Sequence, residues 1–192
     1  MEKLTGHKIN CAVFISGSGS NLNSIIKISK KKFFPIKVKL VISNNSNAYG
    51  IYYAKKNKIS FKIIKSVNMK LFETKTLKIL KKEKIELVCL AGFTKILSKK
   101  FINKFGYKII NIHPSLLPKY KGLNTHFRTL KNKEKKSGCT VHYVSAKLDS
   151  GKIILQKEVP IKKNDTEYSL RRKILKQEHI LYPKAIKSIF TS

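Results

Sequence analysis

Tryptophan is absent from this 192-residue sequence, and acidic residues, arginine and cysteine are scarce. No apolar run approaches the roughly 18 residues that a transmembrane helix requires, so we expect no membrane span. The N-terminal residues 1–8 are polar and the apolar stretch after them is short, which argues against a signal peptide and for a cytoplasmic protein. Cys11, Cys89 and Cys139 lie far apart in apolar runs, which predicts buried, reduced thiols rather than disulfides or a metal site.

The scarcity of acidic residues leaves a large positive charge. Only 10 Asp and Glu residues stand against 42 Lys and Arg residues, for a formal net charge of +32. A nucleic-acid-binding protein has such a balance. However, only Arg128, Arg171 and Arg172 are arginines, and base recognition favours arginine, whose planar fork fits guanine and phosphate. We therefore favour the codon bias of an AT-rich genome over a nucleic-acid interface as the source of the lysines.

The apolar fraction of 42% excludes wholesale disorder, and apolar runs alternate with lysine-rich amphipathic stretches. Strands are predicted over 9–16, 36–43, 60–65, 85–91 and 107–112, and helices over 21–31, 48–57 and 70–84. In the last of these helices, Leu71, Thr74, Leu77 and Leu80 follow a helical period and predict the buried face. This alternation indicates an α/β fold with an open, mostly parallel, Rossmann-like sheet flanked by helices.

The pattern changes in the C-terminal half of the chain. Strands are predicted over 140–145 and 152–159, joined by a turn over 147–151, and we expect them to extend the sheet as antiparallel strands. A long C-terminal helix is predicted over 166–189, with Asp165 or Thr166 as its N-cap and a kink or break at Pro183. No linker or repeat interrupts the sequence, so we expect a single domain over 1–192.

The segment Ser16–Leu22 joins the first predicted strand to the first helix. Gly17 and Gly19 allow a tight turn and the close approach of a ligand, and the start of the helix offers N–H groups that attract an anion. No Gly-Lys-Ser/Thr follows, and Leu22 stands where a dinucleotide-binding loop has its third glycine. We therefore predict a monophosphate site, and the alternative is a turn that only caps the helix.

A second glycine-containing segment, 90–98, follows the fourth predicted strand. Open α/β sheets bind ligands beyond the carboxyl ends of their strands. Gly92 permits close approach there, and Phe93, Ile96 and Leu97 are suited to line an apolar slot for a flat ring. An ordinary strand-to-helix corner is the alternative interpretation.

Asn111 and His113 lie at the end of the fifth predicted strand. Alternate positions on a strand point to the same side, and Pro114 and Pro118 stiffen the loop that follows. A histidine beside an amide in this position is suited to proton transfer next to an oxyanion donor. Asp149 lies in a predicted turn, where it either forms an Asx turn or pairs with His113, raising the pKa of the imidazole and holding a proton-relay water.

Together these segments resemble the phosphoribosylglycinamide formyltransferase family, the folate-dependent formyltransferases of de novo purine synthesis. The resemblance rests on segments 16–22, 91–98, 111–118, 138–142 and 148–151, and on 177–179 followed by Tyr182 and Pro183. The segments follow the family's order over essentially the whole chain. The Asn-x-His-Pro-Ser-Leu-Leu-Pro segment is common to formyl-folate enzymes, whereas the combination is specific to the glycinamide branch.

The resemblance implies a direct formyl transfer from 10-formyltetrahydrofolate to the amine of 5-phosphoribosylglycinamide through a tetrahedral intermediate, without a metal. In this mechanism Asn111 donates a hydrogen bond to the developing oxyanion. His113 helps to stabilise the oxyanion and manages protons. Asp149 tunes His113 and relays a proton through water toward the departing folate nitrogen.

The resemblance also implies the binding residues. Gly19, Ser20 and Asn21 are expected to bind the substrate phosphate, and Glu178 the ribose or the amine. The residues expected to bind the folate are Met69, Thr94, Lys95, Ile96, Leu97 and Asn111. Met69 or Lys70 falls where the family has an arginine, and Thr94 and Lys95 replace its usual Met-Arg. His142 has a supporting role beside the folate loop. The phosphate-binding half spans about 8–105, and the folate-binding, catalytic half about 106–192.

We expect small-molecule substrates as the partners, with no specific nucleic acid and no membrane, and a monomer or weak homodimer. Two formyl-folate enzymes are the nearest alternatives. Formyltetrahydrofolate deformylase carries an extra N-terminal domain, and methionyl-tRNA formyltransferase carries an extra C-terminal domain, and 192 residues leave room for neither. A basic nucleic-acid-binding protein is the alternative from another class, and the presence of Asn111, His113 and Asp149 argues against it.

Overall fold

The computed structural model describes residues 8–65 and 68–190, so the polar N-terminus lies outside the described residues except for Lys8. In the described ranges, a seven-stranded sheet is flanked by six helices. The strands are β1 (Ile9–Ile15), β2 (Ile36–Ser43), β3 (Ser60–Ile63), β4 (Leu87–Leu90), β5 (Lys108–His113), β6 (Lys136–Tyr143) and β7 (Ile153–Pro160). The helices are α1 (Ser20–Ser29), α2 (Gly50–Lys56), α3 (Met69–Lys82), α4 (Lys99–Phe105), α5 (Thr125–Lys131) and α6 (Glu167–Ser188). None of these helices has the length and apolar character needed to cross a membrane.

The strand order across the sheet is β3-β2-β1-β4-β5-β6-β7. Strands β1 to β5 are parallel, whereas β6 pairs antiparallel with β5 and β7 antiparallel with β6. This confirms the predicted mostly parallel sheet with antiparallel strands in the C-terminal half. The chain moves outward from β1 to β3 and then returns to the other side of β1 as β4. The loops after β1 and β4 therefore flank the crevice in which open α/β sheets bind ligands.

Helices cover both faces of the sheet, which explains why its central strands are almost continuously apolar. In β1, Cys11, Val13 and Ile15 belong to the core shared with α1, α2 and α6, whereas Ala12 and Phe14 belong to the core shared with α3 and α4. All five side chains are fully buried. The strands are thus held from both sides, and the loops at their carboxyl ends start from fixed positions.

The three cysteines are free and buried, as predicted. The Cys11 thiol donates to Sγ of Cys89 at 3.6 Å. Burial raises the pKa of the Cys11 thiol well above its ordinary value and that of Cys139 to about 12. The Cys11 and Cys139 thiols are therefore protonated at neutral pH and unreactive.

The C-terminal helix α6 begins after Thr166, which is its N-cap and one of the two residues predicted for that position. The Thr166 hydroxyl accepts from the backbone N–H of Ser169, and the Ser169 hydroxyl accepts from that of Thr166. The helix continues past Pro183, so the predicted break does not occur. Proline lacks the N–H that would bond to the carbonyl of His179. The Ser24 hydroxyl donates to that carbonyl instead, at 2.7 Å.

Other local predictions differ from the structure. Strand β6 begins at Lys136 rather than at 140, and α4 and α5 have no counterpart among the predicted elements. Each of these two helices is only seven residues long, too short for a helical period to stand out. Helix α4 nevertheless carries ordinary boundary signals, with Ser98 as N-cap and a left-handed Gly106 at its C-terminus.

The buried face of α3 agrees with the prediction at Leu80 and in part at Leu77, but not at Leu71 and Thr74. The buried residues are Phe72, Glu73, Thr76 and Leu80. Leu71, which was expected to be buried, is 49% exposed. The cause is a polar contact, because the Glu73 carboxylate turns inward and accepts hydrogen bonds from the backbone N–H and hydroxyl of Ser98, both at 2.6 Å.

Candidate active site

Residues 16–19 connect β1 to α1. Gly19, the N-cap of α1, has a left-handed φ of 70°, and no side chain among the described residues caps the helix. A Cβ on Gly19 would lie 2.3 Å from Cα of Gly50, and the Gly50 N–H donates to the carbonyl of Gly17 at 3.0 Å. The loop therefore packs directly on α2 and leaves the first-turn N–H groups of α1 available to an anion.

This loop, with Asn21, forms one wall of a cavity of about 220 Å³, here called the first cavity, which suits a sugar phosphate better than a dinucleotide. Arg171, Leu175 and Glu178, one helical turn apart on one face of α6, form another wall. The cavity is further lined by Ala91, Gly92, Ile112, Pro114 and His126. The predicted phosphate loop and Glu178 thus meet in one cavity, although they lie at opposite ends of the chain.

Glu178 is the buried acid of the first cavity, with 6% of its surface exposed. Its Oε2 accepts a hydrogen bond from Nδ2 of Asn21 at 2.7 Å, which ties α6 to α1. Burial raises the pKa of Glu178 to about 7, although the hydrogen bond from Asn21 and the charge of Arg171 both lower it. The carboxyl group therefore exchanges a proton near neutral pH.

The structure brings His113 and Asp149 together. Nδ1 of His113 lies 3.4 Å from Oδ2 of Asp149, and its Nε2 lies 2.8 Å from the carbonyl oxygen of Tyr120. A carbonyl oxygen only accepts, so Nε2 carries a proton. Both ring nitrogens have partners, and the side chain is only 7% exposed, so the orientation of the ring is fixed.

Asn111 and His142 are partners across β5 and β6. Nδ1 of His142 donates to the carbonyl of Tyr143 at 2.8 Å, and burial lowers the pKa of His142, which favours the neutral ring. Nε2 of the neutral ring is then an acceptor, and it takes a hydrogen bond from Nδ2 of Asn111 at 3.2 Å. One amide N–H of Asn111 is thereby held, and the other remains available to a ligand.

Asp149 contacts both histidines. Its backbone is left-handed, with φ of 45°, a conformation that costs a non-glycine residue about 1 kcal/mol or more. The Gly122 N–H donates to Oδ2 at 2.9 Å, and Oδ1 lies 3.7 Å from Nε2 of His142. No group of three or more His, Cys, Asp or Glu side chains in residues 8–65 and 68–190 is arranged to hold a metal ion.

A second, smaller cavity of about 70 Å³ adjoins the first, and its lining is both apolar and polar. Its apolar lining comes from Leu90, Phe93, Ile96, Leu97, Val144 and Leu148. Its polar lining comes from Lys95, Asn111, His142, Ser145, Lys147 and Asp149. The residues that line the two cavities adjoin in sequence after β4, at 90–93, and again in β5, where Asn111 lines the second and Ile112 the first.

Four of the six predicted folate residues, Lys95, Ile96, Leu97 and Asn111, line the second cavity. Thr94 lines neither cavity; its backbone N–H and its hydroxyl donate to the hydroxyl of Ser16 at 3.0 and 3.2 Å. Thr94 thus connects the segment after β4 to the segment after β1.

Met69 and three unpredicted residues complete the comparison with the sequence analysis. Met69 begins α3, packs against the core shared with α4, and lines neither cavity. Arg171, Leu175 and His126 line the first cavity without having been predicted. A signal existed for Arg171, which lies two helical turns before Glu178 and so shares its face. No such signal existed for His126, because α5 itself was not predicted.

The sequence pattern of the formyl transferase family matches residues 9–186, which contain every residue that lines the two cavities. The chain belongs to the formyl transferase family. This formyl transferase is similar to phosphoribosylglycinamide formyltransferase of Haemophilus influenzae, with 40% identity over 183 residues, 92% of this chain and 84% of that protein.

Solved structures and longer proteins resemble it as well. The crystal structure of phosphoribosylglycinamide formyltransferase from Anaplasma phagocytophilum matches it with a TM-score of 0.89 and 42% identity, over 95% of this chain and 87% of that one. The trifunctional purine biosynthetic protein adenosine-3 of Gallus gallus is 38% identical over 190 residues, 97% of this chain. This formyl transferase spans only 19% of the length of that protein.

Proposed function

We propose that this formyl transferase moves the formyl group of 10-formyltetrahydrofolate to the amine of 5-phosphoribosylglycinamide in de novo purine synthesis. The observation that carries the proposal is that the cavity lined by the predicted phosphate loop and Glu178 adjoins a smaller cavity with an apolar and polar lining that includes Asn111. Two reactants held side by side need no covalent enzyme intermediate, and their proximity supplies much of the acceleration. The name of the Haemophilus influenzae relative supports these substrates.

In the first cavity, the phosphate binds to the backbone N–H groups of Gly19, Ser20 and Asn21 at the positive end of α1. Glu178 binds the ribose or the glycinamide amine. The hydrogen bond between Asn21 and Glu178 supports this assignment, because it places Glu178 directly beside the proposed phosphate loop. A carboxyl group with a pKa of about 7 is also suited to accept a hydrogen bond from an amine.

In the second cavity, Ile96 and Leu97 pack against the pterin ring, and the backbone from Thr94 to Leu97 holds its polar edge. Lys95 lines the same cavity and contributes positive charge. The apolar lining and the polar wall fit a folate. The bound 10-formyltetrahydrofolate supplies the formyl group. Met69 has no part in this proposal, because it lines neither cavity.

Asn111 donates its available amide N–H to the oxyanion that develops as the amine adds to the formyl carbon. His142 holds the other N–H and so sets the angle of the amide. Asp149 accepts the proton that the amine loses, through water, and returns it to the departing folate nitrogen. His113 contacts the same carboxylate and orients it. It also helps to stabilise the negative charge of the oxyanion.

Small molecules are the proposed partners, and the proposed location is the cytoplasm, which the free, buried cysteines support. A monomer or weak homodimer is also proposed. We propose one domain over 1–192, with the phosphate loop in its first half and Asn111, His113 and Asp149 in its second.

The test is formyl transfer from 10-formyltetrahydrofolate, measured with and without the ribonucleotide, for the wild type and for His113→Ala. We expect turnover that requires the ribonucleotide and falls by about 10²- to 10⁴-fold in the variant. Circular dichroism and thermal unfolding establish that the variant folds. Formate release without the ribonucleotide would identify a deformylase instead, and formylation of methionyl-tRNA would identify the tRNA-directed enzyme. A folded wild type without any turnover would overturn the proposal.

A further inference from the structure

Among the residues that the structure describes, Arg171 is the one lysine or arginine that lines the first cavity. The chain has 42 Lys and Arg residues, of which all but Arg128, Arg171 and Arg172 are lysines. Among the described residues, no lysine lines the first cavity, whereas Arg171 does. We propose that the Arg171 guanidinium binds the phosphate of the ribonucleotide and makes the enzyme selective for the phosphorylated substrate over the free riboside. This inference rests on the proposed function.

Arg171 differs from the other two arginines because its guanidinium has no hydrogen-bond or ring partner among the described residues. Nη1 of Arg128 donates to a backbone carbonyl at 2.7 Å, and its guanidinium lies 5.4 Å from the ring centre of Tyr120. The guanidinium of Arg172 lies 5.7 Å from the ring centre of Tyr168. Within residues 8–65 and 68–190, no hydrogen bond, ion pair or ring contact engages Arg171. Its planar fork is therefore available for a bidentate contact with a phosphate.

The register of α6 places Arg171 on the cavity. Arg171 precedes Leu175 by one helical turn and Glu178 by two, and all three line the first cavity. The register of α6 is fixed at Glu178, because Oε2 of Glu178 accepts from Nδ2 of Asn21 of α1 at 2.7 Å. The charge of Arg171 also lowers the pKa of Glu178 and adds to the effect of burial on His126, as expected for a cation that shares their cavity.

The charge balance of the cavity calls for a cation. A phosphate monoester carries about −1.5 to −2 charges at pH 7, whereas a helix N-terminus supplies only about half a positive charge. Glu178 adds a negative charge to the same cavity whenever it is ionised. Exposed lysines elsewhere are screened beyond about 8 Å at physiological ionic strength. Arg171 is also exposed, but it lines the cavity itself and so offsets both the phosphate and Glu178 at short range.

The experiment compares Arg171→Gln with Arg172→Gln, a matched control on the adjacent residue of the same helix. For Arg171→Gln we expect the KM for the ribonucleotide to rise about 10- to 100-fold, the range for a lost charge-assisted hydrogen bond. The KM for 10-formyltetrahydrofolate is expected to stay within about threefold. Activity toward the dephosphorylated riboside is expected to be equal in the wild type and in Arg171→Gln. A general distortion of α6 would lower this activity as well. Arg172→Gln is expected to behave as the wild type.

A binding measurement separates this inference from the proposed function. Calorimetry with ribose 5-phosphate is expected to show weaker binding to Arg171→Gln than to the wild type and Arg172→Gln, whether or not the enzyme turns over. If the wild type transfers formyl but Arg171→Gln keeps its KM, Arg171 does not bind the phosphate. Equal losses for ribonucleotide and riboside would also overturn the inference. If Arg171-dependent binding is found without formyl transfer, the inference stands and the proposed function fails.

Discussion

The two cavities lie side by side but are built in different ways. The first depends on the backbone of one short loop, and α6 adds a single acid and a single arginine to it. The second is lined by apolar side chains and by a polar wall from β5, β6 and the turn that contains Asp149. A backbone site tolerates most side-chain changes, whereas a site of converging side chains depends on each of them. Substitutions in and between the cavities can therefore test this difference.

The largest effect is expected at Asn111, which lies where the cavities adjoin. Asn111→Ala is expected to lower kcat by about 10²- to 10³-fold, because it removes the donor to the developing oxyanion. The KM for the ribonucleotide is expected to change little, since the contact to the oxyanion forms in the transition state. Steady-state kinetics checks this, with Asn103→Ala, an exposed amide on α4, as the control. An unchanged kcat in a folded variant would remove Asn111 from the mechanism.

The next effect concerns the stability of the first cavity. Glu178 has a pKa raised to about 7 in the folded protein, against an ordinary value of 4.5. From pH 4.5 to 7 the unfolded chain therefore binds fewer protons than the folded one, and stability falls as the pH rises. Glu178→Gln avoids this loss, so its free energy of unfolding is expected to exceed that of the wild type by up to about 3 kcal/mol at pH 8, and by almost nothing near pH 4.

Urea unfolding at several pH values measures this difference. Subtracting the wild-type value at each pH cancels the repulsion among the other charges. Glu158→Gln on β7 is the control, because the Glu158 side chain is 60% exposed. If the difference in free energy of unfolding between Glu178→Gln and the wild type stays constant with pH, burial does not raise the pKa of Glu178. The first cavity would then not differ from the second in the pH dependence of its stability.

The smallest effect is expected at the link between the cavities. Thr94→Val removes the hydroxyl that donates to Ser16 but keeps the backbone N–H that bonds to the same oxygen. We expect the free energy of unfolding to fall by about 1 kcal/mol, and both KM values to rise a few-fold together. Thr94→Ser, which keeps the hydroxyl, is expected to match the wild type. A change in only one KM would show that the cavities are independent.

The same contrast explains what the sequence could predict. The parallel strands, and the glycine loop that lines the first cavity, were predicted because each lies in one continuous segment with its own pattern. The pairing of His142 with Asn111 depends on the register of β5 against β6, which no local pattern specifies. Arg171 shares a helical face with Glu178, but only the packing of α6 over the loop reveals that this face lines a cavity.

Polar residues in buried positions account for the rest. Glu73 of α3 is buried because it accepts hydrogen bonds from Ser98, the N-cap of α4, so a pattern based on apolar residues was right at Leu80 but wrong at Leu71. Pro183 predicted a break in α6, because proline cannot bond to the carbonyl of His179. The sequence near Pro183 does not show that the Ser24 hydroxyl bonds to that carbonyl instead. In both cases a hydrogen bond to a residue distant in sequence produced a structure that differs from the one that the local sequence predicts.

The close contact between Gly19 and Gly50 has a kinetic consequence. A Cβ at Gly19 would meet Cα of Gly50, and a Cβ at Gly50 would come within 2.5 Å of the Ile15 side chain, so the two backbones can touch only as glycines. The loop is therefore held in its binding shape before any ligand arrives, and little conformational entropy is lost on binding. Under the proposed function, the rate of phosphate binding is then limited by diffusion into the first cavity rather than by a rearrangement of the loop.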